Sequence, residues 1–335
     1  MTRRLRVGLV SCAHVHAPGL ARTIASLPQT ELAGIYDEEP ARCGPMLAEL
    51  RATFDPGIAL HDLPALLERS DAVVIASTNA DHRRYTEAAA AAGVHVLSEK
   101  PLATTLADGR AMIEACRSAG VQLGTAFPVR SSAAVLSLKD AIDSGRMGRI
   151  LAARCTNPGR YPGGWFGDPA KAGGGAVMDH TVHVADLLRW LLGDEVERVE
   201  AEVGSFHWGL PVDDTGILLL DLAGGAFASI DCSWSRPRTY PTWGGLTLHV
   251  VGEQATIDVD VFRQALTHHD DAASETRLVG WGDDLNRLMI GGFADAILEG
   301  RPVPISGEDG LRALEVALAA YRSSAERRPV AIADL

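Results

Sequence analysis

The sequence predicts a two-part α/β protein. A doubly wound parallel sheet comes first, and an α+β domain with a large, mostly antiparallel open sheet follows. Two observations predict this. Between Arg6 and Ala126, short apolar runs alternate with amphipathic helical stretches, the pattern of βαβ units with right-handed crossovers. After Arg130 the segments lengthen, become β-rich and are separated by glycine punctuation. At 335 residues the chain is long enough for two cores. The boundary is set near residue 128, giving domains 1–128 and 129–335, with the C-terminal helices able to pack back on the first.

Taken in order, Arg6 to Val10 reads as a strand and Pro18 to Leu27 as a helix. Glu31 to Tyr36 is a second strand, followed by a helix from Pro40 to Ala52. Ile58 to Leu60 is a weak strand and Leu63 to Glu68 a short helix. Asp71 to Ala76 is apolar without alternation, as expected for a parallel strand covered on both faces. A helix (Asp81 to Ala92), the strand Val94 to Leu97, a helix (Leu106 to Ala119) and the strand Val121 to Ala126 complete the first part. The second part opens with a helix, Ala133 to Ser144. Its strands are Ile150 to Thr156, Val196 to Phe206, Gly216 to Leu222, Ala226 to Ser233, Leu246 to Val251 and Ala255 to Val259. Helices at Val177 to Leu192, Leu285 to Glu299 and Gly310 to Ala325 account for the remainder.

Hydrophobic residues make up 47% and charged residues 22%, which excludes a disordered chain. The net charge of −12 argues against nucleic acid, whose phosphates need a basic face. The five cysteines are scattered, with no CxxC pair, and read as reduced thiols of a cytoplasmic protein. The apolar run Val7 to Val10 is too short for a signal peptide, and no stretch approaches the ~20 apolar residues that span a bilayer.

A strand, a turn, a helix and then an acid at the next strand end form the layout of a dinucleotide-binding Rossmann site. The turn residues Ser11, Cys12, Ala13 and His14 are therefore candidate cofactor contacts. Asp37 is the candidate acceptor for the ribose hydroxyls; its ordinary alternative is a helix-capping acid before Pro40. Glu38 and Glu39 would repel a 2′-phosphate, so NAD is favoured over NADP. The glycine fingerprint is missing: Ser11, Ala13 and His16 stand at its three positions. His16 is expected to loosen helix–strand packing. His14 and His16 also raise a metal alternative, with Asp179, His180 and His183 as further ligands; the ligand count does not favour it, and no metal is assigned.

Two further segments carry chemistry. Leu97-Ser98-Glu99-Lys100-Pro101 places one of only three lysines at a strand tip. Burial can bring a lysine, unlike an arginine, into a catalytic range; the ordinary alternative is a salt-bridged strand end. Gly173-Gly174-Gly175 before a helix allows close approach to a ligand at the helix N-terminus. On that helix Asp179 and His183 are four apart and share a face, as a proton-transfer pair would. His180 points about 100° away from Asp179. A helix-start acid with a core histidine is the competing reading.

These segments, in this order, resemble the Gfo/Idh/MocA family over nearly the whole chain. Asp71 to His82 is similar to its D-x-V-x-I-x-T-P-N-x-x-H segment, and Val96 to Ala103 to V-L-x-E-K-P-L-A. Ile142 to Gly148 fits I-x-x-G-x-I-G. Trp165, Asp168-Pro169, Gly173 to Gly175, Asp179 and His183 fit W-x-x-D-P-x-x-x-G-G-G-x-x-x-D-x-G-x-H. Thr78 replaces the usual proline and Thr181 the usual glycine.

The resemblance implies Lys100, Asp179 and His183 as the catalytic group. His183 would take the hydroxyl proton of a substrate alcohol, Lys100 would hydrogen-bond that oxygen, and Asp179 would orient His183 or bind a neighbouring hydroxyl. Ser77, Thr78, Asn79, His82, Glu99 and Lys100 match cofactor-lining positions. His16, Arg130, Tyr161, Trp165 and His180 are expected at the substrate. The implied enzyme is an NAD-dependent dehydrogenase of a sugar, cyclitol or related polyol, active as a homodimer or homotetramer. Two alternatives stand beside it. One is an NAD-using lyase or glycosidase that works by transient oxidation and elimination. The other is a non-catalytic binding or regulatory relative.

Overall fold

The computed structural model describes residues 3–55, 57–240, 243–272, 274–280 and 282–335. In chain order the elements begin with β1 (Leu5–Val10), α1 (Ala17–Ser26), β2 (Thr30–Tyr36), α2 (Gly44–Thr53), α3 (Leu63–Arg69), β3 (Ala72–Ile75), α4 (His82–Ala91), β4 (His95–Ser98), α5 (Leu106–Ser118) and β5 (Leu123–Thr125). Then come α6 (Ala133–Asp143), β6 (Ile150–Pro158), α7 (Pro169–Ala172), α8 (Ala176–Leu192), β7 (Val196–Gly204), β8 (Thr215–Leu222) and β9 (Phe227–Ser233). The chain ends with β10 (Thr247–Gly252), β11 (Thr256–Asp260), β12 (Ala265–Asp270), β13 (Glu275–Gly280), α9 (Leu285–Leu298), α10 (Gly307–Glu326) and β14 (Val330–Ala331).

The chain divides into two compact units. The first comprises residues through Pro128 together with Gly164–Gly173 and Asn286–Leu314, and the second holds the remainder.

The first unit is built on a five-stranded parallel sheet of order β2-β1-β3-β4-β5. All four residues of β3 (Ala-Val-Val-Ile) are buried, because helices cover both faces. The core joins Leu5, Val7 and Leu9 of β1 to Leu20 and Ile24 of α1 and to Ile290 and Phe293 of α9. Sheet growth reverses between β1 and β3, the switch point at whose carboxyl side ligands bind in open α/β sheets. The segment Ile58 to Leu60 is not a strand. Only Leu60 pairs, in one bridge to Ile35, which leaves this run a lateral prop for β2.

The second unit carries a seven-stranded sheet of order β11-β10-β6-β9-β8-β7-β14. It is antiparallel except between β6 and β9. Along β8 buried and exposed residues alternate, the period-2 pattern of a sheet covered on one face. Buried α8 residues pack against the inner face, while Ile217, Leu219 and Phe227 are exposed on the outer one. The β12–β13 hairpin was not visible in the sequence, where Ala265 to Asp270 is largely polar. No helix among the described residues is long and apolar enough to cross a membrane.

The cysteine expectation needs correction. Cys12 and Cys43, 31 residues apart, form a disulfide with Cα atoms separated by 6.0 Å. Parallel pairing of β1 with β2 brings the two strand-end turns side by side, which sequence spacing does not reveal. Cys116, Cys155 and Cys232 are buried thiols. Burial pushes them up to about 11, 12 and 12 respectively.

Candidate active site

In the first unit the chemistry-bearing residues gather at the carboxyl ends of the strands. Backbone bonds lace these tips together: Ser11 N–H to Tyr36 O (2.7 Å), His14 N–H to Ala76 O (2.9 Å) and Glu99 N–H to Ile75 O (3.0 Å). Ser11 stands where the fingerprint has its first glycine, and its φ of +69° explains why glycine is usual there. Its hydroxyl offsets part of that strain by donating to Asp37 Oδ2 at 3.1 Å. Asp37 is 4% exposed. It also accepts from the Cys12 amide, the Glu39 amide (2.7 Å) and Arg42 (3.1 and 3.3 Å). The buried carboxylate thus already accepts from four protein donors at the end of β2.

His14 and His16 both turn toward Glu99. His16 Nδ1 lies 2.9 Å from Glu99 Oε1, and His14 Nδ1 lies 3.9 Å from the same oxygen. His16 therefore does not wedge between helix and strand. Its side chain points out of the turn, and the following Ala17 is fully buried. Among the described residues two groupings have metal-ligand spacing, Cys12, Asp37 and Cys43, whose sulfurs are joined in the disulfide, and His14, His16 and Glu99, each with ligand atoms within 4.8 Å of one another. His14 is also enclosed by the rings of Trp165 (5.9 Å) and Phe166 (5.3 Å). Trp165 donates its indole N–H to Ala13 O at 2.9 Å, so it braces the turn.

Burial raises the Glu99 carboxyl, but the adjacent His14, His16 and Lys100 charges outweigh that penalty and hold it well below the usual carboxylate range. Lys100 is 4% exposed, and its amide donates to Glu99 Oε2 at 3.2 Å. His82 is fully buried, and its Nδ1 lies 3.0 and 3.2 Å from the carbonyls of Pro101 and Leu102. Burial lowers its pKa, so it serves as a neutral brace for the turn after Lys100. Ser77 donates to Thr78 O (3.0 Å), Thr78 to Asp81 (2.7 Å) and the Asn79 amide to Ala172 O (2.9 Å). The last bond ties the β3 tip to α7, a short helix capped by Asp168, whose side chain accepts from Ala170 N at 3.0 Å.

In the second unit α8 positions the other group. The glycine run does approach something closely, but it is protein rather than ligand. A Cβ on Gly175 would sit 1.8 Å from Asp213 O, and one on Gly174 2.2 Å from the Tyr321 hydroxyl oxygen. The first amides of α8 are taken: Gly175 and Val177 donate to Asp213 (2.8 and 2.7 Å), and Met178 donates to the Tyr321 hydroxyl at 3.1 Å. Tyr321 in turn donates to Asp213 Oδ1 at 2.7 Å. Burial raises the carboxyl of Asp213, and burial followed by Asp213's charge raises the phenol well above its ordinary value. This Asp213–Tyr321 cap was missed by sequence reasoning, because its members lie 108 residues apart.

Asp179 accepts from the Trp234 indole at 3.1 Å and lies 3.1 Å from His180 Nε2. The helical angle suggested that His180 diverges from Asp179. Instead, side-chain reach lets these neighbours meet, and His180 Nδ1 is fixed on Asn157 O. His183 is partly buried on the same helix. Tyr161 packs against Trp234 (5.1 Å) and Trp208 (5.6 Å). Arg130 is 7% exposed and held by a two-point ion pair with Asp186 of α8, including a 2.8 Å bond.

The first unit's parallel sheet, switch point and acid at the β2 end define a dinucleotide-binding oxidoreductase domain. Residues 5–127 match the oxidoreductase family with an NAD-binding Rossmann fold, and residues 135–258 match the GFO/IDH/MocA C-terminal domain. A 1,5-anhydro-D-fructose reductase of Ensifer adhaerens is 35% identical over 76% of this chain and 78% of its own. A myo-inositol 2-dehydrogenase of Thermotoga maritima is 29% identical over 86% of this chain and 88% of its own. The crystal structure of GenD2 from gentamicin A biosynthesis, in complex with NAD, superposes with a TM-score of 0.86 at 24% identity, over 99% of this chain and 97% of that one. The chain belongs to the Gfo/Idh/MocA family of NAD-binding oxidoreductases.

Proposed function

We propose that this enzyme oxidises a secondary alcohol, or reduces the matching ketone, of a sugar, cyclitol or related polyol, with Lys100, Asp179 and His183 as its catalytic group. The observation that carries the reading is the assembly of Ser11 to His14, Asp37, Ser77 to Asn79 and Glu99-Lys100 at one end of the first unit's sheet. Bound NAD supplies the two-electron acceptor. Asp37 holds the adenosine ribose, and the first turn approaches the pyrophosphate. Lys100 donates to the substrate oxygen and stabilises negative charge developing there. His183 takes the hydroxyl proton. Asp179, held by Trp234 and His180, binds a neighbouring hydroxyl or orients His183. Tyr161 offers an aromatic face in the same unit.

The reading places the protein in the cytoplasm as a homodimer or homotetramer. Exposed Ile217, Leu219 and Phe227 on the open sheet face support association. A screen of sugars, cyclitols and polyols with NAD, read by absorbance of the reduced cofactor, tests the activity. Reduction with at least one polyol is expected; no turnover on any of them, with NAD bound, contradicts it.

A further inference from the structure

The disulfide lies inside the cofactor turn, which gives it a consequence for binding. We propose that Cys12 and Cys43 are a site of reversible thiol oxidation that sets NAD affinity by clamping the first turn onto Asp37. The proposal rests on Asp37 as the ribose acid. Cys12 is the second residue of the turn and partly exposed, whereas Cys43 is fully buried in the turn that follows β2. Both sulfurs and a carboxylate oxygen of Asp37 lie within 4.8 Å of one another. The Cys12 amide and the Ser11 hydroxyl both donate to Asp37 Oδ2. Arg42, next to Cys43 in the chain, pairs with Asp37 at 3.1 Å.

With the bridge closed, Asp37 is surrounded by donors that the bridge keeps in place. Ribose hydroxyls must displace them to reach the carboxylate. Opening the bridge frees Cys12 to move away, and the carboxylate becomes available.

The chemistry balances with a small disulfide such as oxidised glutathione as the oxidant. The Cys12 thiolate attacks one sulfur of that disulfide, its S–S bond breaks, and one small thiolate leaves. The Cys43 thiolate then attacks the Cys12 sulfur of the mixed disulfide and expels the second. Two protein thiols are oxidised by two electrons, one small disulfide is reduced to two thiols, and the two protons pass to the thiols released. The exposure difference assigns the order: Cys12 is the entry sulfur and Cys43 the resolving one. Cys116, Cys155 and Cys232 are buried and do not compete.

The test uses the full chain, either reduced with dithiothreitol or equilibrated with oxidised glutathione and freed of it. Free thiols are alkylated and counted by intact mass, and NAD binding is measured by calorimetry. The expected result is two fewer alkylations after oxidation, a Cys12–Cys43 cross-linked peptide, and NAD affinity weaker by ~10-fold that recovers on reduction. Cys43→Ala should bind NAD like the reduced wild type after dithiothreitol, and oxidised glutathione should carry it only to a mixed disulfide at Cys12, with no intramolecular cross-link. Equal alkylation of both forms overturns the proposal. So does a dissociation constant that agrees within about twofold between the wild-type forms, a comparison that needs no variant. Absence of NAD binding in both forms overturns the cofactor reading itself, whatever the thiol count shows.

Discussion

Tyr321→Phe removes one oxygen and so isolates the cap of α8. That oxygen accepts the Gly175 and Met178 amides at 3.1 Å each and donates to Asp213 at 2.7 Å. Gly175 keeps its second acceptor on Asp213, but the buried Met178 amide loses its hydroxyl acceptor. A buried donor left unsatisfied costs about 1–3 kcal/mol, and the lost bond to a charged acceptor is of similar size. These terms are not additive, so about 2 kcal/mol is expected. Equilibrium unfolding in urea, followed by tryptophan fluorescence, measures it. With a slope of about 3 kcal/mol/M, the midpoint of the transition involving the second unit falls by about 0.7 M. Loosening the start of α8 also disturbs Asp179 and His183, so kcat should fall while the NAD dissociation constant stays unchanged. An unchanged midpoint together with an unchanged kcat would refute the cap's role in positioning the catalytic helix.

Two further outcomes follow from the same geometry. Gly175→Ala places a Cβ 1.8 Å from the Asp213 carbonyl, backbone that cannot rotate away. It should destabilise the second unit by more than about 3 kcal/mol, seen as rapid proteolysis within 174–285; a protease-resistant variant contradicts the close approach. Asp71 is held down at about 2 by the Arg6 side-chain bond, with Arg6's amide and charge and Arg3 adding to it against the cost of burial. A depressed carboxyl stabilises the fold above its unfolded pKa, and the gain disappears as pH falls through the folded one. Asp71→Asn should therefore cost about 1 kcal/mol at pH 7, after allowance for the solvent-exposed arginines, and only about a fifth of that at pH 2, where the folded carboxyl is half protonated. Urea titrations of both proteins at the two pH values check this; a constant difference contradicts it.

Much of the fold was legible because the first unit's strands are largely apolar and alternate with helical stretches. Ala72 to Ile75 could be read as a covered parallel strand from four residues. What failed depended on tertiary meeting points. Cys12 and Cys43 meet because β1 and β2 pair in parallel. The glycine run signalled a close approach, but only the fold shows that Asp213 and Tyr321 occupy the space. Arg130 and His82 carry the residue types of a binding site, but only the fold shows that Asp186 and the Pro101 carbonyl fix their side chains. The polar β12–β13 hairpin lacked the alternation that marks a half-buried strand.

The central claim is that Lys100 acts on the substrate rather than on the cofactor or the fold. The direct measurement is Lys100→Met, with the NAD dissociation constant and kcat determined on one preparation, using a substrate found in the screen. The account predicts NAD affinity within about threefold of the wild type and a kcat lower by about 10²-fold or more, the scale of losing a donor at a developing oxyanion. A variant that binds NAD normally and turns over at a near-normal rate would contradict it.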